Sequence, residues 1–432
     1  MNLVVVGTGY VGLVTAVCMA EKGHNVICLD IDKNKIDYLA SGKGSIIYEE
    51  GLEELMQKNK DRLEYSTDFA NAYKNADVIF VCVGTPEKKD GSANLTYVFD
   101  AVKNIAEMAE KECVVVIKST VPIGTNDKVE KILNEHNKNY VKFHVVSNPE
   151  FLAQGTAVHD TLHASRIVIG SEDKKATDIM LNVYKDFDAP KIITNRKSAE
   201  MIKYASNNFL ALKISFINEI ANLCEKIGAN IEDVAKGMGF DERIGNKFLS
   251  AGIGYGGSCF PKDTKALHWL STFNDYELKT IKAAIEVNEN QKLRLIKKAK
   301  KYYKSFENLN VAVLGLTFKP GTDDLREAPS IVNVGIMLDD GANIKAYDPI
   351  GIPNFSKIYP EESNNIKYCK TIEDTLKDAD ICFIFTEWKE IKDLNPEIFK
   401  KYMKTPIVLD GRNCYNPETM EECGVEYNSI GR

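Results

Sequence analysis

Two doubly wound α/β units joined by a long central helix are the fold the sequence predicts, on three observations. A β-rich run, Leu3-Val4-Val5-Val6, enters a glycine turn at Gly7, and a helical stretch follows it. The same design returns at Asn310-Val311-Ala312-Val313-Leu314-Gly315. Between the two, Ser198 to Ile227 contains neither Pro nor Gly and repeats its apolar positions at helical spacing.

The elements follow in order. Leu3 to Val6 is a continuous apolar run, as a strand buried on both faces requires. Val11 to Lys22 has helical spacing and stops at Gly23. Asn25 to Leu29 is a second strand, ending at Asp30. Further strands are expected at Asp77 to Val83, Cys113 to Lys118 and Phe143 to Ser147, with helical stretches between most of them. This alternation implies a parallel sheet with helices on both faces. The stretch from Ser198 spans about 30 residues, or ~45 Å of helix. That is long enough to bridge two domains and to offer a dimer surface. Asp275 to Tyr303 reads as another helix, leading into the C-terminal unit. There, Ile344 to Asp348 is a strand ending in an acid, and Ala379 to Phe385 resembles Ala76 to Cys82. The second glycine turn lacks the third glycine of the first, which makes it the weaker dinucleotide candidate.

Composition bounds the possibilities. Of 432 residues, 44% are hydrophobic and 27% charged, enough for real cores in two or three soluble domains. A formal charge of −7 argues against a global nucleic-acid or anionic-membrane partner. The first residues lack the basic region and apolar core of a signal peptide, and no apolar run approaches the ~18 residues of a membrane span. Ten cysteines are scattered with no CxxC pair, and several, such as Cys82 and Cys382, lie within apolar runs. Reduced thiols in a cytoplasmic protein are the expectation. Cys259 alone has a setting that asks for more.

Gly7-Thr8-Gly9-Tyr10-Val11-Gly12 fits G-x-G-x-x-G after a strand and before a helix, with Asp30 ending the next strand. Gly7 permits the tight turn, Gly9 lets the backbone approach a pyrophosphate, and Gly12 lets helix pack on strand. The helix start stabilises the phosphate charge. A carboxylate at Asp30 accepts from ribose hydroxyls and repels a 2′-phosphate, favouring NAD over NADP. Thr85, in Val83-Gly84-Thr85-Pro86, and Thr120, in Ser119-Thr120-Val121-Pro122, fall at strand ends, where such sheets bind ligands. Punctuation of a strand end is an equally good account of either one.

The most specific segment is Gly254-Tyr255-Gly256-Gly257-Ser258-Cys259-Phe260-Pro261-Lys262-Asp263. Its glycines fold tightly over a ligand, and Pro261 suits the first turn of a helix running from Lys262 to Leu270. Cys259 therefore precedes a helix start and lies near Lys262, both of which enrich a thiolate. Asp263 could order a water or proton. On the long helix, Lys203 and Asn207 are four residues apart and share a face, with donors for a developing oxyanion. A solvated face is the plainer account of that pair. Glu150, in Ser147-Asn148-Pro149-Glu150-Phe151-Leu152, follows another strand, where it could serve as a base or simply begin a helix.

With these motifs in one order, the chain resembles the UDP-glucose 6-dehydrogenase family, within the wider UDP-glucose/GDP-mannose dehydrogenase superfamily. Phe318 to Arg326 and Asp410-Gly411-Arg412-Asn413 extend the match nearly end to end. The resemblance implies an NAD-binding Rossmann domain over 1–197, a central helical dimerisation domain over 198–300 and a UDP-sugar-binding Rossmann-like domain over 301–432. It implies Cys259 as nucleophile, with Lys203, Asn207, Asp263, Thr120 and Glu150 around the reacting carbon. Cofactor contacts are implied at Gly7, Gly9, Tyr10, Val11, Gly12, Asp30, Lys35, Thr85, Thr120, Lys262 and Arg326. The substrate set would comprise Glu150, Phe151, Leu152, Lys203, Asn207, Phe248, Leu249, Ser250, Gly252, Gly256, Lys319 and Arg412, with Arg243 reaching across a homodimer. No metal is implied. One position departs from the pattern: Gln154 stands where the family usually has Glu, and a neutral amide carries neither a base nor a charge.

The implied chemistry is a four-electron, NAD-dependent oxidation of a UDP-sugar alcohol to the acid, through a thiohemiacetal and a thioester on Cys259. Two rivals stay open. One is a dehydrogenase for UDP-N-acetyl-hexosamine or GDP-mannose, and the other is a non-catalytic NAD-binding regulator.

Overall fold

A computed structural model describes all 432 residues. They divide into two compact units, Met1–Ser206 and Asn207–Arg432.

The first unit is built on eight strands: β1 (Asn2–Val6), β2 (Asn25–Leu29), β3 (Leu63–Ser66), β4 (Val78–Val81), β5 (Cys113–Ile117), β6 (Phe143–Ser147), β7 (Ile167–Gly170) and β8 (Lys191–Thr194). Their order is β3-β2-β1-β4-β5-β6-β7-β8. Only the β6–β7 pairing is antiparallel. The strands alternate their side chains between two cores, as a period of two demands. Leu3, Val5, Val78 and Phe80 pack on one face with Ala16, Met19 and Ala20 of the helix Tyr10–Glu21. Val4, Val6, Ile79 and Val81 pack on the other with Val98, Val102 and Ile105 of the helix Thr96–Met108. Val6 pairs with Leu29 on one side and Val81 on the other, so the three strands end level, at the edge where the glycine turn begins.

The second unit carries β9 (Asn310–Leu314), β10 (Asn343–Tyr347), β11 (Ile366–Tyr368), β12 (Ile381–Ile384), β13 (Ile407–Asp410) and β14 (Glu426–Asn428), in the order β11-β10-β9-β12-β13-β14 and all parallel. Counted from its own first strand, the second sheet reads 3-2-1-4-5-6 and the first reads the same with strands 7 and 8 added at one edge, the doubly wound order that leaves a ligand crevice beyond the carboxyl ends of its strands. The expected internal repeat is real at the level of topology.

The helix predicted from Ser198 runs from Arg196 to Ile227. Its start is fixed by packing and by charge. A Cβ on Gly170 would stand 2.4 Å from the Cβ of Ala199, so helix and strand touch there. Glu200 accepts from the backbone N–H groups of Gly124 and Asn126 and from the Asn126 amide, capping the helix Thr125–Glu135. Within the second unit, Ser215 donates to the carbonyl of Ala284, Asn222 to Gln291, and Glu225 pairs with Lys298.

The stretch expected as one helix from Asp275 is two, Lys279–Lys292 and Arg294–Ala299. Asp275 takes φ +53°, in the left-handed region, so the helix cannot begin there. No helix is long and apolar enough to cross a membrane.

At the amino edge of the first sheet, His144 lies buried between two carboxylates. Its Nδ1 meets Asp173 and its Nε2 is 2.8 Å from Glu112. Lys175 and His144 together pull the exposed Glu112 from an ordinary value near 4.5 down to about 2. Burial opposes the same shift at Asp173, but the bond to His144 and two backbone N–H groups still lower it. A carboxylate with a depressed folded-state pKa adds stability above its unfolded value and loses it as pH falls toward the folded one. Melting temperature should therefore drop as pH falls from about 4.5 toward 2, and His144→Gln should flatten that slope, as calorimetry across this range will read.

Candidate functional site

In the first unit, the glycine turn follows β1 directly. Gly7 has φ +96°, and its N–H donates to the carbonyl of Leu29 at 2.7 Å. Gly12 tolerates no side chain, since a Cβ there would lie 1.8 Å from the Gly7 carbonyl oxygen. Gly9 is the opposite case. A Cβ there would meet nothing within 4 Å, so its bare face opens onto free space. Gly9 is the N-cap of the helix Tyr10–Glu21, which has no side-chain cap and no acid in its first turn. The N–H groups of Tyr10 and Val11 belong to that first turn, where no intrahelical partner exists. An open face beside a helix start fits a pyrophosphate.

Asp30 sits beside this turn. Its Oδ2 accepts from the backbone N–H and the hydroxyl of Thr8 at 2.8 and 2.7 Å, and its Oδ1 accepts from Asp32 N–H. Burial pushes its pKa up, but these bonds and the nearby Lys35 charge hold it below the ordinary carboxylate value. It is thus a fixed anion that keeps lone pairs for ribose hydroxyls. Ile31, next to it, is 81% exposed. The residues present fit NAD.

The strand-end loops are stitched together by hydroxyls. Thr85 donates to the Thr120 carbonyl, and Ser119 to the Val83 carbonyl. Glu150, in the loop after β6, is buried, and its Oε1 is 3.0 Å from the buried Lys203 Nζ. Its Oε2 accepts from the N–H of Leu152, curling Phe151 and Leu152 around it. The Phe151 ring lies under two cations, with Arg166 at 3.9 Å and Lys203 at 5.5 Å. Sequence reasoning missed Arg166, which belongs to no motif. Burial lowers its pKa. Gln154 is buried in the same loop.

In the second unit, Cys259 is the N-cap of the helix Phe260–Phe273, with Pro261 in the first turn, as expected. The helix is longer than the predicted Lys262–Leu270 at both ends. Asp263 is 1% exposed and is held from two sides. Lys262 Nζ lies 2.6 Å from its Oδ1, and the Asn207 amide donates to its Oδ2 at 2.7 Å. Asn208 adds a bond to its carbonyl. Both Asn207 and Lys262 therefore engage Asp263 first, a pairing the sequence did not suggest.

The glycine loop before Cys259 is compressed on every side. A Cβ at Gly256 would stand 2.4 Å from the Glu327 carbonyl oxygen, and one at Gly257 (φ +83°) 2.8 Å from the Phe318 ring. Gly257 N–H donates to the Arg326 carbonyl at 2.7 Å. Arg326 is fork-bonded to Asp324, which raises its pKa, and the negative charges of Cys259 and Asp323 add to that rise.

Three buried amides hold the loop from behind. Asn288 binds the Tyr255 N–H and carbonyl, Gln291 the Gly252 carbonyl, and Asn218 the Gly252 N–H. They were missed because a lone Asn or Gln on a helix carries no spacing signal. Phe248 takes φ +64°. Leu249 is buried and Ser250 exposed. Lys319 Nζ lies over the Phe318 ring. Arg412 donates to three carbonyls, those of Phe385, Gly254 and Phe318. Arg243 is exposed and paired with Asp241.

The second glycine turn is no copy of the first. Asp348, the counterpart of Asp30, is buried and saturated by the N–H groups of Leu316, Thr317, Ile350 and Gly351 and by the Trp388 indole. Its following helix begins only at Pro329, fourteen residues beyond Gly315.

A nicotinamide-linked oxidoreductase is the class that the doubly wound cradle and the capped cysteine define. More narrowly, the chain belongs to the UDP-glucose/GDP-mannose dehydrogenase family. The family's NAD binding domain matches residues 1–188, its central domain 197–290 and its UDP binding domain 312–417. The UDP-glucose 6-dehydrogenases YwqF and TuaD of Bacillus subtilis are 49% and 47% identical to it, over all of this chain and 98% and 93% of theirs. A UDP-glucose dehydrogenase from the archaeon Pyrobaculum islandicum superposes with a TM-score of 0.91 at 35% identity, covering 99% of this chain and 96% of that one. A UDP-D-ManNAc dehydrogenase from Pyrococcus horikoshii superposes at 0.87 with 28% identity, covering 100% and 99%. The protein is an NAD-dependent oxidoreductase with a UDP binding domain.

Gly12→Ala should weaken NAD binding at least about tenfold and lower the melting temperature, because overpacking against a backbone oxygen has no side chain to move aside. Titration of the variant with NAD checks this.

Proposed function

We propose that the protein oxidises UDP-glucose to UDP-glucuronate in two successive two-electron steps at Cys259. The position of Cys259 as cap of a helix start, behind a glycine loop, carries this reading. The named identity of relatives 49% and 47% identical over the whole chain supports the sugar.

NAD supplies the acceptor for each of two hydrides. The C6 hydroxyl gives up its proton to a water held by Asp263. The Cys259 thiolate adds to the resulting aldehyde carbon and makes a thiohemiacetal, so the aldehyde stays bound. After the second oxidation the carbon is a thioester. Water placed by Thr120 and Asp263, with Glu150 as base, cleaves the C–S bond and returns the thiolate. Lys203 and Asn207 stabilise negative charge on the sugar oxygen. Lys319 and Arg412 meet the diphosphate or sugar, while Phe248 to Gly252 line the uridine. The three-domain division at 197/198 and 300/301 belongs to the same reading, as does a cytoplasmic location, which ten free cysteines support.

A homodimer completes the proposal. Phe209, Phe216 and Leu223 recur every seven residues on the long helix, and all three are exposed, Phe209 by 61%. A stripe of large apolar side chains on one face of a helix suits a second copy. Arg243 would then serve the neighbouring subunit.

Cys259→Ala should make no uronate while still binding NAD, and the wild type should yield two NADH per sugar, read at the NADH absorbance band. Uronate from the variant at the wild-type rate, or one NADH per sugar, overturns the mechanism. A panel of UDP-glucose, UDP-N-acetyl-hexosamines and GDP-mannose tests the sugar. Phe216→Asp should shift the mass in light scattering from dimer to monomer.

A further inference from the structure

Glu49 is 7% exposed and comes from the loop between the helices Lys33–Ala40 and Leu52–Lys58. Three donors converge on its carboxylate. The Tyr10 hydroxyl reaches Oε2 at 2.9 Å, the Gly155 N–H reaches Oε2 at 2.8 Å, and the Ala157 N–H reaches Oε1 at 2.6 Å. The Tyr10 hydroxyl also meets the carbonyl of Tyr48. A carboxylate only accepts, so a buried one is stable where fixed donors surround it.

The donors come from two places that the chemistry must keep in register. Tyr10 is the first residue of the helix whose start suits the cofactor phosphates. Gly155 and Ala157 follow the loop Glu150-Phe151-Leu152, whose carboxylate is paired with Lys203. Those two segments are more than 140 residues apart in sequence, and both donate to the Glu49 carboxylate. Sequence spacing gave no hint of this, because Glu49 lies in a loop with another acid beside it.

We propose that Glu49 is a positioning residue that ties the cofactor turn to the Glu150 loop, so that the affinity for one ligand depends on the contacts made to the other. The proposal rests on the function argued above. Charge-assisted hydrogen bonds of this kind are worth enough for about a tenfold effect on affinity when lost.

The test compares KM for NAD and for UDP-glucose in the wild type, Glu49→Gln, Tyr10→Phe and the double variant. Glutamine turns an NH₂ group toward backbone N–H donors. Glu49→Gln should raise both KM values, each by about tenfold. Tyr10→Phe cuts the tie between the turn and the Tyr48-Glu49 loop, at the Glu49 carboxylate and at the Tyr48 carbonyl, and leaves both backbone donors to Glu49 in place. It should raise both values by about threefold at an unchanged melting temperature, which a merely local role would not do for the sugar nucleotide. The double variant should be no worse than Glu49→Gln alone. Additive effects, or a rise confined to NAD, overturn the proposal. If Glu49→Gln fails to fold, Tyr10→Phe decides alone: no change in the UDP-glucose KM overturns it. A wild type inactive on UDP-glucose refutes the substrate reading instead, and the nucleotide sugar picked out by the panel then takes its place in the same comparison.

Discussion

Gly12 packs so tightly on the Gly7 carbonyl that a Cβ would stand 1.8 Å from its oxygen, and the shape of the glycine turn depends on it. With no Cβ at position 12, the first turn of the helix Tyr10–Glu21 can press onto the end of β1. That contact sets where the helix begins, and so where its first-turn N–H groups aim. It leaves Gly9 facing open space and brings Thr8 within reach of Asp30. The helix direction, the open face at Gly9 and the Thr8–Asp30 bond thus follow from one van der Waals limit.

The second sheet shows what the same strand order does without that contact. Gly315 N–H donates to the Tyr347 carbonyl just as Gly7 N–H does to Leu29. Beyond it, however, the chain runs through an irregular stretch before its helix, and Asp348 turns inward to gather backbone N–H groups. The acid at the end of the second strand stands beside an open glycine turn in one unit and is saturated by backbone N–H groups and an indole in the other. Topology alone therefore does not assign function; the fate of the carboxylate does.

Much of this was legible in the sequence because it rested on local rules. The apolar runs of β1, β4 and β5, the G-x-G-x-x-G turn, the Pro- and Gly-free helix and the Pro261 helix start all follow from nearest neighbours. What escaped was non-local or weakly patterned. β3, Leu63-Glu64-Tyr65-Ser66, and β14, Glu426-Tyr427-Asn428, are short edge strands with too few apolar residues to stand out. The amides of Asn218, Asn288 and Gln291, and Arg166 over Phe151, matter through partners far along the chain. Asp263 was expected to order a water or proton, but its engagement by Lys262 and Asn207 depends on the fold and carries no local pattern.

Arg412 spends one planar group on the carbonyls of Gly254, Phe318 and Phe385. Those oxygens belong to three separate stretches of chain, and each would otherwise need water. A rigid fork can address three directions at fixed angles, whereas a lysine ammonium on a flexible stem has no such built-in geometry. The glycine loop therefore inherits its shape from a side chain more than 150 residues downstream, and a charge-preserving exchange at that position would leave the net charge intact while erasing the mould.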